Sequence, residues 1–398
     1  MKKILSLTLA VVMAAGLVAC GNSGSSSATE TTESAAETTT AAESATEEAS
    51  GEKPETITIQ ALNANAELSD IEVPYDPQRI AILDLACLDI LDNLGLGDRV
   101  VGCANTTIDY LQSYVEDENI VNLGTIKEAD LEAVMACEPD IIFIGGRLSA
   151  SYDALSEIAP VVYIATDTEK GLIESVRDNA TTVASIFGRE DEIAEKLEGF
   201  DNRIAALAEF AEGKTAVVGM CTSGSFNVLG NDGRCSIIGR EIGFDNLGAD
   251  VVAAQNESGS GRSGRGGNSD TTETTAAGEN AETAEGSERS GRGGHGSGEG
   301  GENSQGGGTA THGNEASFEL IVSLNPDYIF VMDRDAAIGT DGAQLAQEIM
   351  ENELVMGTDA YKNGNIVYLE HPGVWYTAEG GITALDYMLV DLESALLN

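Results

Sequence analysis

Hydrophobic and polar positions follow the same order in two stretches of the chain that lie far apart. Without a gap, residues 131–147 align with residues 318–334. Each stretch predicts the end of an amphipathic helix, a Pro-Asp turn and a short buried strand that ends in an arginine. These arginines are Arg147 and Arg334. The repeated pattern therefore predicts two similar α/β halves.

The first half alternates short apolar runs, which predict strands, with longer periodic stretches, which predict helices. The predicted strands are RIAILDL (79–85), RVVGCA (99–104), DIIFIGG (140–146) and VVYIA (161–165). Strands that alternate with helices favour a parallel sheet covered on both faces. Ligands of such sheets bind beyond the carboxyl ends of the strands, so Arg147 and Arg334 should each project from one half toward a shared cleft.

A single long amphipathic helix is predicted between the two halves. Its apolar residues recur every three or four positions, which places them on one face of a helix: Ile193, Leu197, Phe200, Ile204, Leu207 and Phe210. The predicted fold is therefore α/β, with two Rossmann-like lobes that contain parallel sheets and are joined by one helix. The N-terminal lobe is expected at 56–188, the linking helix at 189–213 and the C-terminal lobe at 214–398.

The amino terminus has the pattern of a secretory signal. Two lysines precede an apolar run that ends at the small-residue sequence LVAC, which indicates a signal peptide over residues 1–19 and lipid attachment at Cys20. The run is shorter than the ~20 residues of a membrane-spanning helix, the alternative interpretation. Residues 20–55 then predict a disordered tether. These features place the protein at the cell membrane, lipid-anchored on the extracytoplasmic face.

A second segment of low complexity interrupts the C-terminal lobe. Residues 253–317 contain no Val, Ile, Leu, Met, Phe, Tyr or Trp, which predicts a disordered insert. Its Arg-Gly repeats could suggest RNA binding, but acidic side chains outnumber arginines there, and the whole chain has a formal net charge of −46. Nucleic acid is therefore excluded as a partner. A surface lipoprotein that acts through this insert remains an alternative function.

The residues that could carry chemistry indicate binding rather than catalysis. The chain lacks the HExxH, GxSxG and GxxxxGKS/T motifs, so we predict no enzyme and no intrinsic cofactor. Arg147, Arg334 and a loop arginine, Arg234, could together hold an anion, although surface ion pairs are the simpler explanation for any one of them. Apart from Cys20 the chain has five cysteines, Cys87, Cys103, Cys137, Cys221 and Cys235; we expect buried thiols, with one disulfide left open.

Several motifs in a fixed order resemble a known family, the lipid-anchored ferric-siderophore substrate-binding proteins of ABC importers that handle catecholate ligands. The resemblance covers nearly all of the predicted folded part. Its motifs are VPYDPQRIAILDLACLDILDNLGLGDRVVG, IIFIGGR with SYDALSEIAPVVY, HGNEASFELIVSLNPDYIFVMDRDAAIG, NELV with YKNGNIVYL, and VWYTAEGG. The resemblance implies the class III periplasmic-binding-protein fold. It also implies a monomeric receptor that delivers a ferric siderophore to a permease and its ATPase.

The resemblance also implies roles for particular residues. Arg147, Arg234 and Arg334 match the arginines that surround the anionic ferric complex, and Trp375 lies in a ligand-binding motif. His312 and Tyr376 match residues that complete the coordination of iron when the siderophore has too few donors. The insert beside His312, and Cys235 beside Arg234, depart from the family pattern. Haem or cobalamin is the alternative ligand of the same fold, and haem would favour axial Met or His over three arginines.

Overall fold

The computed structural model describes residues 54–167, 169–260 and 309–397, with side chains undescribed at 254–260 and 309–316. The predicted signal peptide, Cys20 and nearly all of the predicted tether lie outside the described residues. The same holds for most of the predicted insert and for the side chain of His312.

A seven-stranded sheet forms the core of the half that we call lobe one. Its strands are β1 (Thr56–Leu62), β2 (Leu68–Pro74), β3 (Ile80–Ile82), β4 (Val100–Cys103), β5 (Val121–Asn122), β6 (Ile141–Ile144) and β7 (Val161–Tyr163), in the order β2-β1-β7-β6-β3-β4-β5. Strands β3 to β7 are parallel; the parallel arrangement was predicted, but β5 was not predicted as a strand. The antiparallel hairpin β1–β2 at one edge was not predicted.

A five-stranded sheet forms the core of the second half, lobe two. Its strands are β8 (Thr215–Thr222), β9 (Ser225–Val228), β10 (Asp245–Asn246), β11 (Tyr328–Asp333) and β12 (Ile366–Tyr368). The order is β10-β8-β11-β12, all parallel, and β9 pairs antiparallel with β8. Both sheets are thus mainly parallel, and the α/β fold class is confirmed.

Helices cover the sheets and connect the lobes. In lobe one they are α1 (Leu85–Asn93), α2 (Gln112–Glu116), α3 (Leu131–Ala136), α4 (Tyr152–Ser156) and α5 (Leu172–Phe187). Helix α6 (Glu190–Ala211) connects the halves. Thereafter come α7 (Ile237–Arg240), α8 (Leu247–Ser260), α9 (Thr309–Leu324), α10 (Arg334–Ala337), α11 (Ala346–Met350), α12 (Glu353–Met356), α13 (Asp359–Lys362), α14 (Pro372–Thr377) and α15 (Ile382–Leu396).

The linking helix is present where its apolar stripe predicts it. Four of the six predicted positions, Ile193, Leu197, Phe200 and Leu207, are buried. The turn before α6 contains Gly188, which has a φ of +63° and ends α5 in the left-handed conformation that glycine adopts without strain. Local periodicity was therefore enough to predict this helix.

The C-terminal helix, which lies within the predicted C-terminal lobe, also contacts lobe one. Helix α15 packs against α1 and α6 rather than only against lobe two. The carboxylate of Asp89, on α1, accepts hydrogen bonds from the amides of Ile382, Thr383 and Ala384 at 3.1, 2.9 and 2.9 Å. A buried carboxylate on the first turn satisfies amides that have no partner within the helix. The last helix is thereby fixed to lobe one.

Two further features bear on expectations from the sequence. Helical residues lie at both ends of the segment predicted as an insert (253–317), because α8 continues to Ser260 and α9 begins at Thr309. Alanine and glutamate in these flanks are compatible with helix, although they cannot form a core alone. The five cysteines after Cys20 are all free and buried, so the possible disulfide is absent among the described residues.

In the part of the chain that the structure describes, every helix is too short or too polar to cross a membrane.

Candidate ligand site between the lobes

Three arginines surround the ring of Tyr376. The guanidinium carbons of Arg147, Arg234 and Arg334 lie 5.4, 4.4 and 5.6 Å from the centre of the ring. Such distances allow attraction between each cation and the face of an aromatic ring. The structure thus brings together four of the predicted site residues, which lie in four separate segments of the chain.

Each arginine is also hydrogen-bonded to Tyr376. Arg147 Nη2 and Arg234 Nε donate to the main-chain carbonyl oxygen of Tyr376 at 2.9 and 3.3 Å. Arg334 Nε donates to the phenol oxygen at 3.0 Å. Tyr376 therefore accepts hydrogen bonds from arginines of both lobes, and these bonds hold three positive charges close together.

The local sequence explains how these arginines reach the site. Arg147 lies in a 3-10 helix, Gly146–Ser151, that begins directly beyond the carboxyl end of β6. The preceding Gly145 has no room for a side chain, because a Cβ there would collide with the carboxylate of Asp84. Arg334 starts α10 at the carboxyl end of β11. Arg234 lies in the loop that leads from β9 to α7.

The electrostatic surroundings change the acidity of the Tyr376 phenol. Partial burial acts to raise its pKa, but the hydrogen bond from Arg334 and the positive charges of Arg234, Arg334 and Arg147 outweigh that effect. The pKa of Tyr376 is therefore lower than that of an ordinary tyrosine. A phenol with a lowered pKa gives up its proton more readily to a metal ion or to a base.

A cavity of about 590 Å³ lies beside this cluster. Arg147, Arg234 and Tyr376 line it, whereas Arg334 is not among the described residues of its wall. Residues from both lobes complete the wall: the 163–167 segment at the end of β7 and the start of α5 from lobe one, and the 232–236 loop from lobe two. The volume is within the range of sites for small molecules.

Four acidic residues, which the sequence analysis did not single out, also line the cavity. They are Asp84, Asp167, Asp232 and Glu379. Burial raises the pKa of Glu379 to about 7, against the opposing effects of the hydrogen bond from the Cys235 amide and the charge of Arg234. Glu379 is therefore partly protonated near neutral pH, and it offsets less of the arginine charge than an ordinary glutamate would. Its place in the segment TAEGG, directly after the aromatic pair, was the only signal in the sequence.

Trp375 does not have the position expected of a ligand-binding residue. Its side chain is fully buried, and its Nε1 donates to Asp391 Oδ2 at 2.9 Å. Asp391 also accepts from the main-chain amide of His371 at 3.1 Å, and its Oδ1 lies 2.6 Å from His371 Nδ1. Because the indole turns into the core to reach a buried carboxylate, Trp375 supports α14 rather than lining the cavity. Trp375 is thus not among the described residues of the cavity wall, and its contact with a ligand stays a prediction.

The backbone of His312 lies in the first turn of α9, and its role stays a prediction. Among the residues with described side chains, no three His, Cys, Asp or Glu residues are grouped so that they could hold a metal ion.

The sequence of this chain is similar to that of periplasmic binding proteins. The sequence profile of the family described as Periplasmic binding protein matches residues 80–260 and 300–372. The Petrobactin-binding protein YclQ of Bacillus subtilis is 29% identical over 399 residues, which cover 100% of this chain and 99% of that protein. The Ferric-anguibactin-binding protein FatB of Vibrio anguillarum is 24% identical, with 79% and 81% covered.

Two crystal structures have the same fold as this chain. YclQ superposes with a TM-score of 0.65 at 27% identity and covers 87% of this chain and 100% of its own. The catecholate-siderophore binding protein VctP of Vibrio cholerae superposes with a TM-score of 0.62 at 26% identity, with 85% and 100% covered.

Proposed function

Because the chain belongs to the periplasmic binding protein family, we propose that it captures a ferric siderophore of the catecholate type in the cavity between its lobes and delivers it to an ABC importer. The observation that carries this proposal is the convergence of Arg147, Arg234 and Arg334 on Tyr376 beside the cavity. The names of the similar proteins, which specify petrobactin and catecholate siderophores, support the ligand class.

The charges of the site suit such a ligand. Three deprotonated catecholates around Fe³⁺ leave a complex with three negative charges. Three guanidinium groups of opposite charge are close by: Arg147 and Arg234 at the cavity wall, and Arg334 bonded to the Tyr376 phenol. Guanidinium groups donate charge-assisted hydrogen bonds in a planar array that fits paired oxygen atoms. The net charge of the whole chain is strongly negative, so the local arginine cluster is what would attract an anion to this cavity. This arrangement suits haem, the alternative ligand, less well, because haem would favour axial Met or His ligands over three arginines.

Tyr376 and His312 are proposed to bind iron directly when the siderophore supplies only two catecholates. Such a ligand fills four of the six positions around iron and leaves two for a phenolate oxygen and an imidazole nitrogen. The lowered pKa of Tyr376 favours the phenolate that iron would require. The proposal for His312 rests on the sequence motif alone.

We further propose that the receptor is a monomer, anchored by a lipid at Cys20 to the extracytoplasmic face of the cell membrane. It would transfer the ferric complex to a permease with its ATPase, and it would not alter the ligand chemically. These expectations follow from the signal pattern of the amino terminus and from the family resemblance.

Calorimetric titration with a panel of ligands tests the function. The panel contains ferric complexes of a hexadentate catecholate, a tetradentate catecholate and a hydroxamate, together with haem and cobalamin. We expect the ferric catecholates to bind most tightly, and the double variant Arg147→Ala/Arg234→Ala to lose at least a hundredfold in affinity, since a hydrogen bond to a charged group contributes ~1.5–3 kcal/mol.

The matched control is Arg177→Ala, which removes a partly exposed arginine paired with Asp201 outside the cavity. It should bind as the wild type does. Preferential binding of haem or cobalamin, or an unchanged affinity in the double variant, would refute the proposal.

A further inference from the structure

We propose that Glu241 is a positioning residue that holds the two lobes at a fixed separation across the cavity. It extends from lobe two and caps the first turn of α5 in lobe one. The inference concerns the width of the cavity, and it rests on the proposed function only where ligand affinity is used to measure the effect.

The contact is a helix cap supplied by the opposite lobe. Glu241 Oε1 accepts hydrogen bonds from the main-chain amides of Leu172 and Ile173 at 2.6 and 3.4 Å. These amides belong to the first turn of α5, where no carbonyl of the helix is available to them. A carboxylate is well suited to this place because the helix dipole concentrates positive charge at the N-terminus. Glu241 is distant in sequence, yet it caps α5 as the side chain of a residue at the N-cap normally does.

The sequence of lobe one is fitted to receive this carboxylate. The residue at the N-cap of α5 is Gly171, and it makes no side-chain hydrogen bond to the helix. Its φ is +94°, a conformation that residues with a Cβ rarely adopt. A Cβ at this position would lie 2.6 Å from Glu241 Oε1. Gly171 thus leaves the helix without its own cap and leaves space for the cap from lobe two.

The adjacent arginine strengthens the same contact. Arg240 Nη2 donates to the main-chain carbonyl oxygen of Glu169 at 2.7 Å. Two consecutive side chains of lobe two therefore hold the backbone of residues 169–173, one as donor and one as acceptor. Because the partners in lobe one are all main-chain atoms, the contact fixes the position of the helix itself rather than that of a mobile side chain.

This contact forms part of the boundary of the ligand cavity. Gly171 and Leu172 line the cavity from lobe one, and Arg234 and Ser236 line it from lobe two. Helix α7 joins Ser236 to Glu241, so the residue that caps α5 is directly connected to the loop that presents Arg234. Loss of the cap should let the start of α5 move away from Arg234 and widen the cavity.

The experiment compares Glu241→Ala and Glu241→Gln with the wild type in the absence of any ligand. Spin labels, introduced as non-natural amino acids at the exposed positions Glu128 of lobe one and Glu348 of lobe two, report the separation of the lobes. Glu241→Ala should give a longer and broader distance distribution, and faster amide exchange at residues 169–176. Glu241→Gln keeps an oxygen acceptor without the charge and should show a smaller change in both measurements.

Two further variants make the result decisive. Glu198→Ala removes an exposed glutamate from α6 and should leave both measurements as in the wild type. Arg240→Ala removes only the second half of the contact and should reproduce part of the widening, which keeps the proposal testable if Glu241→Ala does not fold. Distances and exchange rates in Glu241→Gln and Arg240→Ala that match those of Glu198→Ala would overturn it.

Affinity for a ferric catecholate provides the link to function. We expect a loss of about tenfold in Glu241→Ala, since the groups that meet the ligand would no longer be preorganised. If the wild type binds no ferric siderophore while the distances change as expected, the proposed function fails and the positioning role of Glu241 stands. If the wild type binds but neither distance nor exchange changes, the positioning role fails alone.

Discussion

The two repeated stretches, residues 131–147 and 318–334, agree in backbone structure but differ in what their final arginines do. In both, a residue with positive φ, Glu138 at +47° or Asn325 at +42°, lies within two residues of the end of a helix, and a buried strand follows. Arg147 then lines the cavity, whereas Arg334 is not among the described residues of its wall. A repeated sequence therefore specifies equivalent positions without specifying equivalent roles.

The repeated Pro-Asp turn has a structural explanation. Asp140 Oδ2 accepts from the main-chain amides of Gln78 and Arg79 at 2.8 and 2.9 Å, directly before β3. Asp327 Oδ2 accepts from the main-chain amide and the hydroxyl of Thr215 at 2.9 Å each, at the start of β8. In both lobes the aspartate fixes the beginning of the neighbouring strand. The motif thus belongs to the sheet and not to the ligand site.

The surroundings of the two arginines account for their different roles. Arg334 Nη1 donates to Thr222 Oγ1 at 3.1 Å and lies 3.5 Å from Asp335 Oδ1, a carboxylate that is almost fully buried. These contacts within lobe two hold Arg334 against the phenol of Tyr376. Arg147 instead reaches the carbonyl oxygen of Tyr376 from lobe one. One arginine therefore orients the tyrosine, and the other remains at the cavity surface.

The largest expected difference is in ligand affinity. Arg147→Ala should weaken the binding of every ferric catecholate by roughly tenfold to a hundredfold, the effect of losing charge-assisted hydrogen bonds worth ~1.5–3 kcal/mol. Arg334→Ala should weaken a tetradentate ligand more than a hexadentate one, because it releases the phenol that would complete the iron coordination. Titration calorimetry with both ligands measures this, and Arg177→Ala is the control. Identical losses in the two variants for both ligands would contradict the assigned difference.

The next effect concerns the stability of the two lobes. Asp140→Ala and Asp327→Ala each remove an acceptor of two hydrogen bonds, the first at a partly exposed and the second at an exposed position, so we expect each to lower the free energy of unfolding by about 1–2 kcal/mol. Urea unfolding followed by circular dichroism measures the change. Asp341→Ala, at an exposed loop position, should have little effect. A large loss in one variant with none in the other would show that the turns are not equivalent.

The third difference lies in the acidity of Tyr376. Arg334 lowers the pKa of the phenol through a hydrogen bond and a charge, whereas Arg147 contributes a charge alone. Removing either arginine should raise the pKa, and Arg334→Ala should raise it more, so that phenolate forms only at higher pH. Nuclear magnetic resonance of ring-labelled tyrosine gives the titration curve, with Tyr376→Phe to assign the signal. An equal or larger rise in Arg147→Ala would contradict the proposed arrangement.

The sequence predicted the features that depend on local patterns. The strands of lobe one and the linking helix follow from short-range periodicity, and the rule that ligands bind beyond the carboxyl ends of parallel strands brought Arg147 and Arg334 toward one place. The antiparallel hairpin β1–β2 was missed because its outer strand is largely exposed and carries few large apolar residues.

Other features depend on contacts between distant residues, which a single sequence does not display. The C-terminal helix crosses to lobe one because Asp89 binds its first turn, and the cap of α5 comes from Glu241 in the opposite lobe. In the same way, Trp375 is directed into the core by Asp391, sixteen residues further along the chain. In each case a carboxylate can accept hydrogen bonds from many donors, and only the fold determines which donors lie beside it.

The smallest expected effect lies at the two residues with positive φ, and it should differ in sign. A residue with a Cβ is strained in the left-handed conformation by ~1–2 kcal/mol, while glycine in its place costs ~0.5–1 kcal/mol of chain entropy. Glu138→Gly should therefore stabilise lobe one by up to ~1 kcal/mol, because none of the hydrogen bonds described for Glu138 involves its side chain.

Asparagine, the residue at position 325, tolerates the left-handed conformation better than glutamate does. In addition, Asn325 Nδ2 donates to Asp359 Oδ2 at 2.8 Å, and its Oδ1 accepts from the Asp359 amide at 3.1 Å. Asn325→Gly loses both bonds and should destabilise lobe two slightly. Urea midpoints of the two variants decide the matter, and a shift in the same direction for both would mean that strain, rather than the bonds of Asn325, dominates at both turns.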